Sequence, residues 1–188
     1  MTSLTRRDAL GLFACAALAG AARAAVPVPG DSVYQLHLRL VDQDGHPFDW
    51  GSTRGAPVLA SMFYTSCEMV CPLIFESIRR TVDAFDKPVR DKVRVVMVSF
   101  DPQRDTVPVL KETAARHHCD ARWSLVRGTE ADARRIAALL GIQYRRLASG
   151  EFNHSSVISL LDAEGRIVRR TTLVGDVDPA LVAAAKSV

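Results

Sequence analysis

Apolar and polar positions along this chain follow two periodicities, which predict strands alternating with helices. Short apolar runs rich in β-branched residues are typical of buried strands, and apolar residues three and four apart are typical of one helix face. The run 58–64 is short and almost entirely apolar, which favours a central strand. The other strands are expected at 34–41, 46–50, 93–99, 123–126, 156–161 and 167–172.

Start and stop signals predict four helices between and after these strands. Pro72 suits a first helical turn because its missing N–H needs no partner there. The apolar face of this helix ends before Lys87-Pro88 and consists of Ile74, Ile78, Val82 and Phe85. The other helices are expected from a cap at Asp105 or Thr106 to about His117, from Thr129 to Gly141, and from Asp178-Pro179 onward.

The order of these elements is a hairpin, then alternating strands and helices, then a closing antiparallel hairpin. Asp44-Gly45 and the segment 162–165 provide turn signals for the two hairpins. Strands that alternate with helices pack as a sheet covered by those helices. We therefore expect an α/β fold in which helices flank a mixed sheet and an N-terminal β-hairpin precedes it.

The first 24 residues have the pattern of an export signal. Arg6 and Arg7 precede an apolar stretch, 10–22, and Ala22-Arg23-Ala24 resembles a cleavage site. Paired arginines favour twin-arginine export, although an ordinary secretory signal remains open. We expect a signal over 1–24, a linker over 25–32 and one domain over 33–188. The protein would be periplasmic, or anchored on the outer side of the cytoplasmic membrane by an uncleaved leader.

The charge balance argues against a nucleic-acid partner. The formal net charge of the whole chain is +3, and removal of 1–24 takes away three arginines and one aspartate, which leaves +1. A nearly neutral domain lacks the basic surface that polyanions require.

Three of the four cysteines lie outside the leader: Cys67, Cys71 and Cys119. An odd number does not suit a disulfide-stapled scaffold. Cys67 and Cys71 fall where the central strand gives way to a helix N-terminus, which stabilises thiolates. Residues four apart share a helix face, so the pair can bind one soft metal ion or form a disulfide after backbone adjustment. The residues alone leave both uses open.

Several sequence blocks, in order and with matching gaps, resemble the Sco/SenC family, named for synthesis of cytochrome c oxidase. The resemblance runs from Leu40 to about Gly175. Its blocks are VDQDG (41–45) with GAPV (55–58), FYTSC (63–67) with CP (71–72), VSFDP (98–102) with RDT (104–106), and HSS (154–156) with LDAEG (161–165).

This resemblance implies a thioredoxin-like fold and one copper ion, as Cu(I), Cu(II) or both, bound by Cys67, Cys71 and His154. It further implies that copper comes from a copper donor protein. Outside the cytoplasmic membrane, copper or reducing equivalents would then pass to the copper-centre subunit of cytochrome c oxidase. This delivery would assist assembly of the binuclear copper centre in that subunit. The family commonly has proline and an acidic residue after the first cysteine, whereas this chain has Glu68 and Met69. A thioether at Met69 could bind copper, but a surface or packing role is the commoner one.

The nearest alternative is a thiol–disulfide oxidoreductase in which Cys67 and Cys71 are the catalytic pair and keep partner cysteines reduced. Such proteins usually carry a cis-proline before a late strand. This chain has no proline between Pro108 and Pro179, and His154 stands where that proline is expected. A redox or copper sensor also remains open.

Two further groups have chemistry that the resemblance does not assign firmly. Asp101 and Asp105 follow the second buried strand and suit either a place near copper or ordinary turn and cap roles. His117, His118 and Cys119 form a small cluster, but adjacent residues at a helix end point in different directions. We expect a partly buried thiol at Cys119.

Overall fold

The computed structural model describes residues 27–67 and 69–188. The expected export signal over 1–24, the first two residues of the expected linker and Glu68 therefore lie outside the described residues. Within the described part, the strands are β1 (Leu40–Val41), β2 (Pro47–Phe48), β3 (Val58–Phe63), β4 (Arg94–Ser99), β5 (Trp123–Val126), β6 (Tyr144–Arg146), β7 (Phe152–His154), β8 (Ile158–Leu161) and β9 (Ile167–Thr171). The α-helices are α1 (Val70–Ala84), α2 (Lys87–Arg90), α3 (Val107–Arg116), α4 (Glu130–Leu140) and α5 (Pro179–Ala184).

A five-stranded mixed sheet in the order β5-β4-β3-β8-β9 forms the centre of the fold. The strands β3, β4 and β5 run parallel, and β8 and β9 continue the sheet antiparallel. All six residues of β3 are buried, and five of them are apolar, as is typical of a strand covered on both faces. The hydroxyl of the sixth, Ser61, donates to the carbonyl of Val157. The predicted α/β class, with a central mixed sheet flanked by helices, is confirmed.

Most predicted helices form with the expected ends. The apolar face of α1 is buried, and α4 begins with a reciprocal cap between Thr129 and Asp132 and ends at Gly141 in the left-handed conformation. Pro88 belongs to the separate short helix α2, after α1 has ended. The alternative cap at Asp105 is wrong, because Thr106 is the cap residue of α3. None of the described helices combines the length and apolar character that a bilayer crossing needs.

The N-terminal hairpin forms but is shorter than predicted. Only Leu40–Val41 pairs with Pro47–Phe48, and Val33–Gln35 is a 3-10 turn instead of the start of a strand. The physical reason is local packing: Val33 is fully buried, and the Ser32 hydroxyl donates to the carbonyl of Glu164 at 2.5 Å. This segment therefore packs across the β8–β9 turn.

A second hairpin, formed by β6 and β7, was not predicted. It is a two-stranded sheet of its own, and it pairs Tyr144 with His154 and Arg146 with Phe152. Its residues are half-buried or exposed, so no alternation of apolar and polar positions marks it in the sequence. Its importance is that it carries His154.

Candidate metal site

Cys67 and Cys71 lie at the junction between β3 and α1. Cys67 is half-buried in the turn, and Cys71 is buried in the first turn of the helix. The backbone N–H of Cys71 donates to Cys67 Sγ at 3.4 Å. Neither cysteine forms a disulfide in this structure.

The pKa values of the two cysteines are shifted in opposite directions. The Cys71 thiol donates to Cys67, and backbone N–H groups at 69–71 also point to it, which together lower the pKa of Cys67 to about 4. Donation to Cys67 and burial raise the pKa of Cys71. The pair therefore holds one thiolate and one thiol that share a proton, and the helix N-terminus stabilises the negative charge.

His154, at the end of β7, completes a group of three donors. One ring nitrogen of His154 and the two Sγ atoms all lie within 4.8 Å of one another. Bonds of roughly 2.0–2.3 Å place two donors of one metal ion roughly 4 Å apart, so a small side-chain movement closes this site. Among residues 27–67 and 69–188, no other cluster of three His, Cys, Asp or Glu side chains has this geometry.

A backbone contact selects the nitrogen of His154 that is free to bind. Nδ1 lies 3.3 Å from the carbonyl oxygen of Ser155. A carbonyl oxygen only accepts, so this hydrogen bond requires the proton on Nδ1 and leaves the lone pair of Nε2 free. Metal-binding histidines usually have this arrangement, which fixes both ring orientation and tautomer.

Aromatic rings pack around the imidazole of His154. The centroid of the Tyr64 ring lies 5.8 Å from that of His154 at an interplanar angle of 89°, and the Phe100 ring lies 5.1 Å away. Phe152 contacts both Tyr64 and Phe100 at about the same distance. These rings exclude water from one side of the imidazole. These aromatic residues were not identified from the sequence, although Tyr64 and Phe100 both follow buried strands and lie in the FYTSC and VSFDP blocks.

The two carboxylates left open by the sequence have structural roles. Asp105 is fully buried and accepts hydrogen bonds from the backbone and hydroxyl of Thr65 and from the hydroxyl of Ser99. Burial raises the pKa of Asp105. Asp101 is also buried and pairs with Arg104. Neither belongs to the donor group, and Asp105 fixes the turn that leads to Cys67.

The remaining sequence candidates include Met69, His117 and Cys119. The Met69 side chain is 83% exposed and makes no capping hydrogen bond, which agrees with a surface methionine. His117 stacks on Phe75 with centroids 4.1 Å apart. Cys119 is half-buried, and burial raises its pKa to about 12, which confirms the expected partly buried thiol.

A groove of about 710 Å³ lies beside the site. Its apolar wall includes Phe100 and Phe152, the same rings that pack near His154. Its lining also includes Arg134, Arg145 and Arg146, and the Arg146 guanidinium lies 5.9 Å from the centroid of the Phe152 ring. The groove and the donor group therefore share one wall.

Comparison with known proteins places this arrangement in a family. The family model described as SCO1/SenC matches residues 29–187. An SCO2-like protein of Rickettsia prowazekii is 28% identical over 138 residues, which is 70% of this chain and 66%, just under two thirds, of that relative. The structure of an SCO1/SenC family lipoprotein from Bacillus anthracis superposes with a TM-score of 0.71 at 21% identity. The alignment covers 79% of this chain and 90% of the Bacillus anthracis chain.

A structure of Bradyrhizobium japonicum ScoI with copper bound has a TM-score of 0.65 at 24% identity, over 80% of this chain and 96% of its own. At these identities the two structures establish the shared fold, and the thioredoxin-like fold implied by the resemblance is confirmed. The family-model match covers most of the chain, and the chain therefore belongs to the SCO1/SenC family.

Proposed function

We propose that this protein is an exported copper chaperone that binds one copper ion through Cys67, Cys71 and His154. The observation that carries the proposal is the approach of their three donor atoms to within 4.8 Å of one another. Two sulfur donors favour Cu(I), and an imidazole lets the same site hold Cu(II). The copper-bound structure of the Bradyrhizobium japonicum relative supports the choice of metal.

The position of the site suits transfer of an ion to another protein. Cys67 and His154 are both partly exposed, whereas Cys71 is buried. Ligands of a partner can therefore approach from the side of Cys67 and His154 and replace them one at a time. We propose a copper donor protein as the source. The proposed recipient is the subunit of cytochrome c oxidase that holds the binuclear copper centre, outside the cytoplasmic membrane.

Copper stoichiometry of the reduced domain, measured without oxygen, tests the metal site. We expect about one equivalent in the wild type, loss of binding in Cys67→Ser and Cys71→Ser, and weaker binding in His154→Ala. Cys119→Ser is the matched control, because its thiol is half-buried and outside the donor group. Substoichiometric copper that none of these substitutions changes would refute the proposal.

A second function, thiol–disulfide exchange, is favoured by the lowered pKa of Cys67. In this reaction the Cys67 thiolate attacks a partner's disulfide, forms a mixed disulfide and releases one partner thiolate. Cys71 then gives its proton to the released partner thiolate and attacks the Cys67 sulfur, which releases the second partner thiolate. The partner gains two electrons, and Cys67 and Cys71 end as a disulfide.

The two functions use the same sulfurs, so they exclude each other at any moment. Oxidation to the disulfide removes both thiolate ligands and releases copper. The His154→Ala variant separates them, since it weakens copper binding and leaves both exchange cysteines in place. Rapid reduction of a model disulfide by that variant, at the wild-type rate, would support exchange as an independent activity.

A further inference from the structure

The hairpin that carries His154 is separate from the main sheet. Within the described residues, β6 and β7 form a two-stranded sheet, while β3, which leads to Cys67, lies in the five-stranded sheet. The ladder between β3 and β8 anchors the chain only beyond residues 155–157, so it does not by itself fix the distance between His154 and the sulfurs. Side-chain contacts add to this connection.

One such contact joins the two halves of the site directly. Tyr64 immediately follows β3 and precedes Cys67 by three positions. Its hydroxyl donates to Glu151 Oε2 at 2.7 Å, and Glu151 immediately precedes β7. Its ring lies against both Phe152 and His154, with centroids 5.2 and 5.8 Å away. Tyr64 therefore touches the histidine hairpin with its ring and with its hydroxyl.

A second contact supports the same hairpin from the loop after β4. The Arg104 guanidinium donates to the carbonyl of Gly150 at 2.7 Å and pairs with the buried carboxylate of Asp101. This bond holds the hairpin near its tip. The Tyr64 bond, one residue further along, holds it closer to His154, and each of the two bonds is strengthened by one charged partner.

We propose that Tyr64 is a positioning residue that latches the β6–β7 hairpin to the cysteine loop through Glu151 and so holds His154 within bonding reach of the two sulfurs. This inference rests on the proposed copper function. Tyr64 binds no metal itself. Without its hydroxyl, the ring still packs, but the hairpin loses the directional contact nearest the ligand.

The test uses Tyr64→Phe, which removes only the hydroxyl, with two readouts. In the metal-free protein, amide hydrogen exchange over 144–154 should speed up about tenfold. In the copper(II)-loaded protein, the nitrogen hyperfine signal of His154 in the electron paramagnetic resonance spectrum should weaken. The dissociation constant for copper(II) should rise about tenfold. Tyr34→Phe is the matched control, because it removes a hydroxyl that contacts Thr53 away from the site.

Two further variants keep the test decisive if Tyr64→Phe folds poorly. Glu151 is exposed, so Glu151→Ala removes the acceptor without disturbing the core, and it should reproduce both effects. Glu151→Gln keeps a side-chain oxygen and should restore most of the hairpin protection. In a His154→Ala background, Tyr64→Phe should have no further effect on copper affinity, since the hairpin then carries no ligand.

The outcomes separate this inference from the function on which it rests. An unchanged nitrogen signal and unchanged exchange in Tyr64→Phe, with a wild type that binds copper through His154, would overturn the positioning role alone. An equal loss of affinity in the His154→Ala background would also overturn it. A wild type without any copper binding that depends on His154 would overturn the proposed function and the inference with it.

Discussion

Arg104 and Asp105 are adjacent in the chain and bind opposite halves of the site. Arg104 donates to the carbonyl of Gly150 in the histidine hairpin, while Asp105 accepts hydrogen bonds from Thr65 in the cysteine loop. The loop between β4 and α3 is thus a common support for the sulfur donors and the nitrogen donor. A change in this loop should alter the site without touching any ligand.

Asp105→Ala should be strongly destabilising. The substitution leaves the buried hydroxyl of Ser99 and both donors of Thr65 without their acceptor. Each unsatisfied buried donor costs about 1–3 kcal/mol, so we expect a loss of at least about 2 kcal/mol in the free energy of unfolding. Urea denaturation of the metal-free protein measures it. Glu112→Ala, an exposed carboxylate on α3, is the control, and equal stabilities of the two variants would contradict the assigned role.

Alkylation of Cys67 should depend little on pH between 8 and 6. Its pKa is lowered to about 4, so the thiolate predominates throughout this range. The rate for an ordinary thiol, with a pKa near 8.5, would fall roughly a hundredfold over the same interval. Iodoacetamide labelling followed by mass spectrometry of the peptides measures the rate.

Two internal comparisons sharpen the alkylation experiment. Cys119 has a pKa raised to about 12, so its labelling should slow about tenfold for each unit by which the pH falls. Cys71→Ala removes the thiol that donates to Cys67 and should move the midpoint of Cys67 labelling to higher pH. If the labelling rate of Cys67 itself fell about tenfold for each pH unit between pH 8 and 6, its thiol would be an ordinary one.

Met69→Leu should leave copper binding almost unchanged. The side chain is 83% exposed, and leucine keeps its apolar character while removing the thioether. Surface substitutions of this kind usually change a free energy by less than about 0.5 kcal/mol, so the dissociation constant should stay within about threefold. Competition with a Cu(I) chelator measures it. A tenfold weaker site would identify the thioether as a ligand.

Gly165→Ala should destabilise the fold more than Gly175→Ala does. Both glycines have positive φ, at +77° and +94°. A Cβ at Gly165 would lie 2.7 Å from Ser32 Oγ and 2.8 Å from the Tyr34 ring, whereas a Cβ at Gly175 meets nothing within 4 Å. Backbone strain costs about 1–3 kcal/mol at either position. The difference between the melting temperatures of the two variants isolates the effect of the contact with Ser32 and Tyr34. Equal losses of stability would show that the N-terminal turn moves aside without cost.

The sheet and its helices were predictable because their sequence patterns are local. The wholly buried strand β3 has a continuous apolar run, and α4 has both a cap at Thr129 and a stop at Gly141. The donor group was found differently, since the family resemblance linked His154 to the cysteines. No local pattern carries that information, because the three residues meet only in the folded chain.

The parts that sequence reasoning missed depend on long-range contacts. The strands β6 and β7 are short and partly exposed, so their pairing leaves no apolar alternation. Asp105 stands where a helix cap would stand, and only the fold reveals that its carboxylate faces Thr65. Tyr34 and Gln35 were predicted to begin a strand, but the burial of Val33 against the β8–β9 turn places them in a 3-10 turn.

Because the hairpin of His154 stands outside the main sheet, a metal ion held by all three donors would also act as a crosslink between the two sheets. Metal binding would favour the arrangement in which His154 and the two sulfurs lie close together. An occupied chain would therefore be more rigid at this edge of the molecule than an empty one. Under the proposed function, a partner that contacts the hairpin would therefore meet a more rigid surface on the occupied chain than on the empty one.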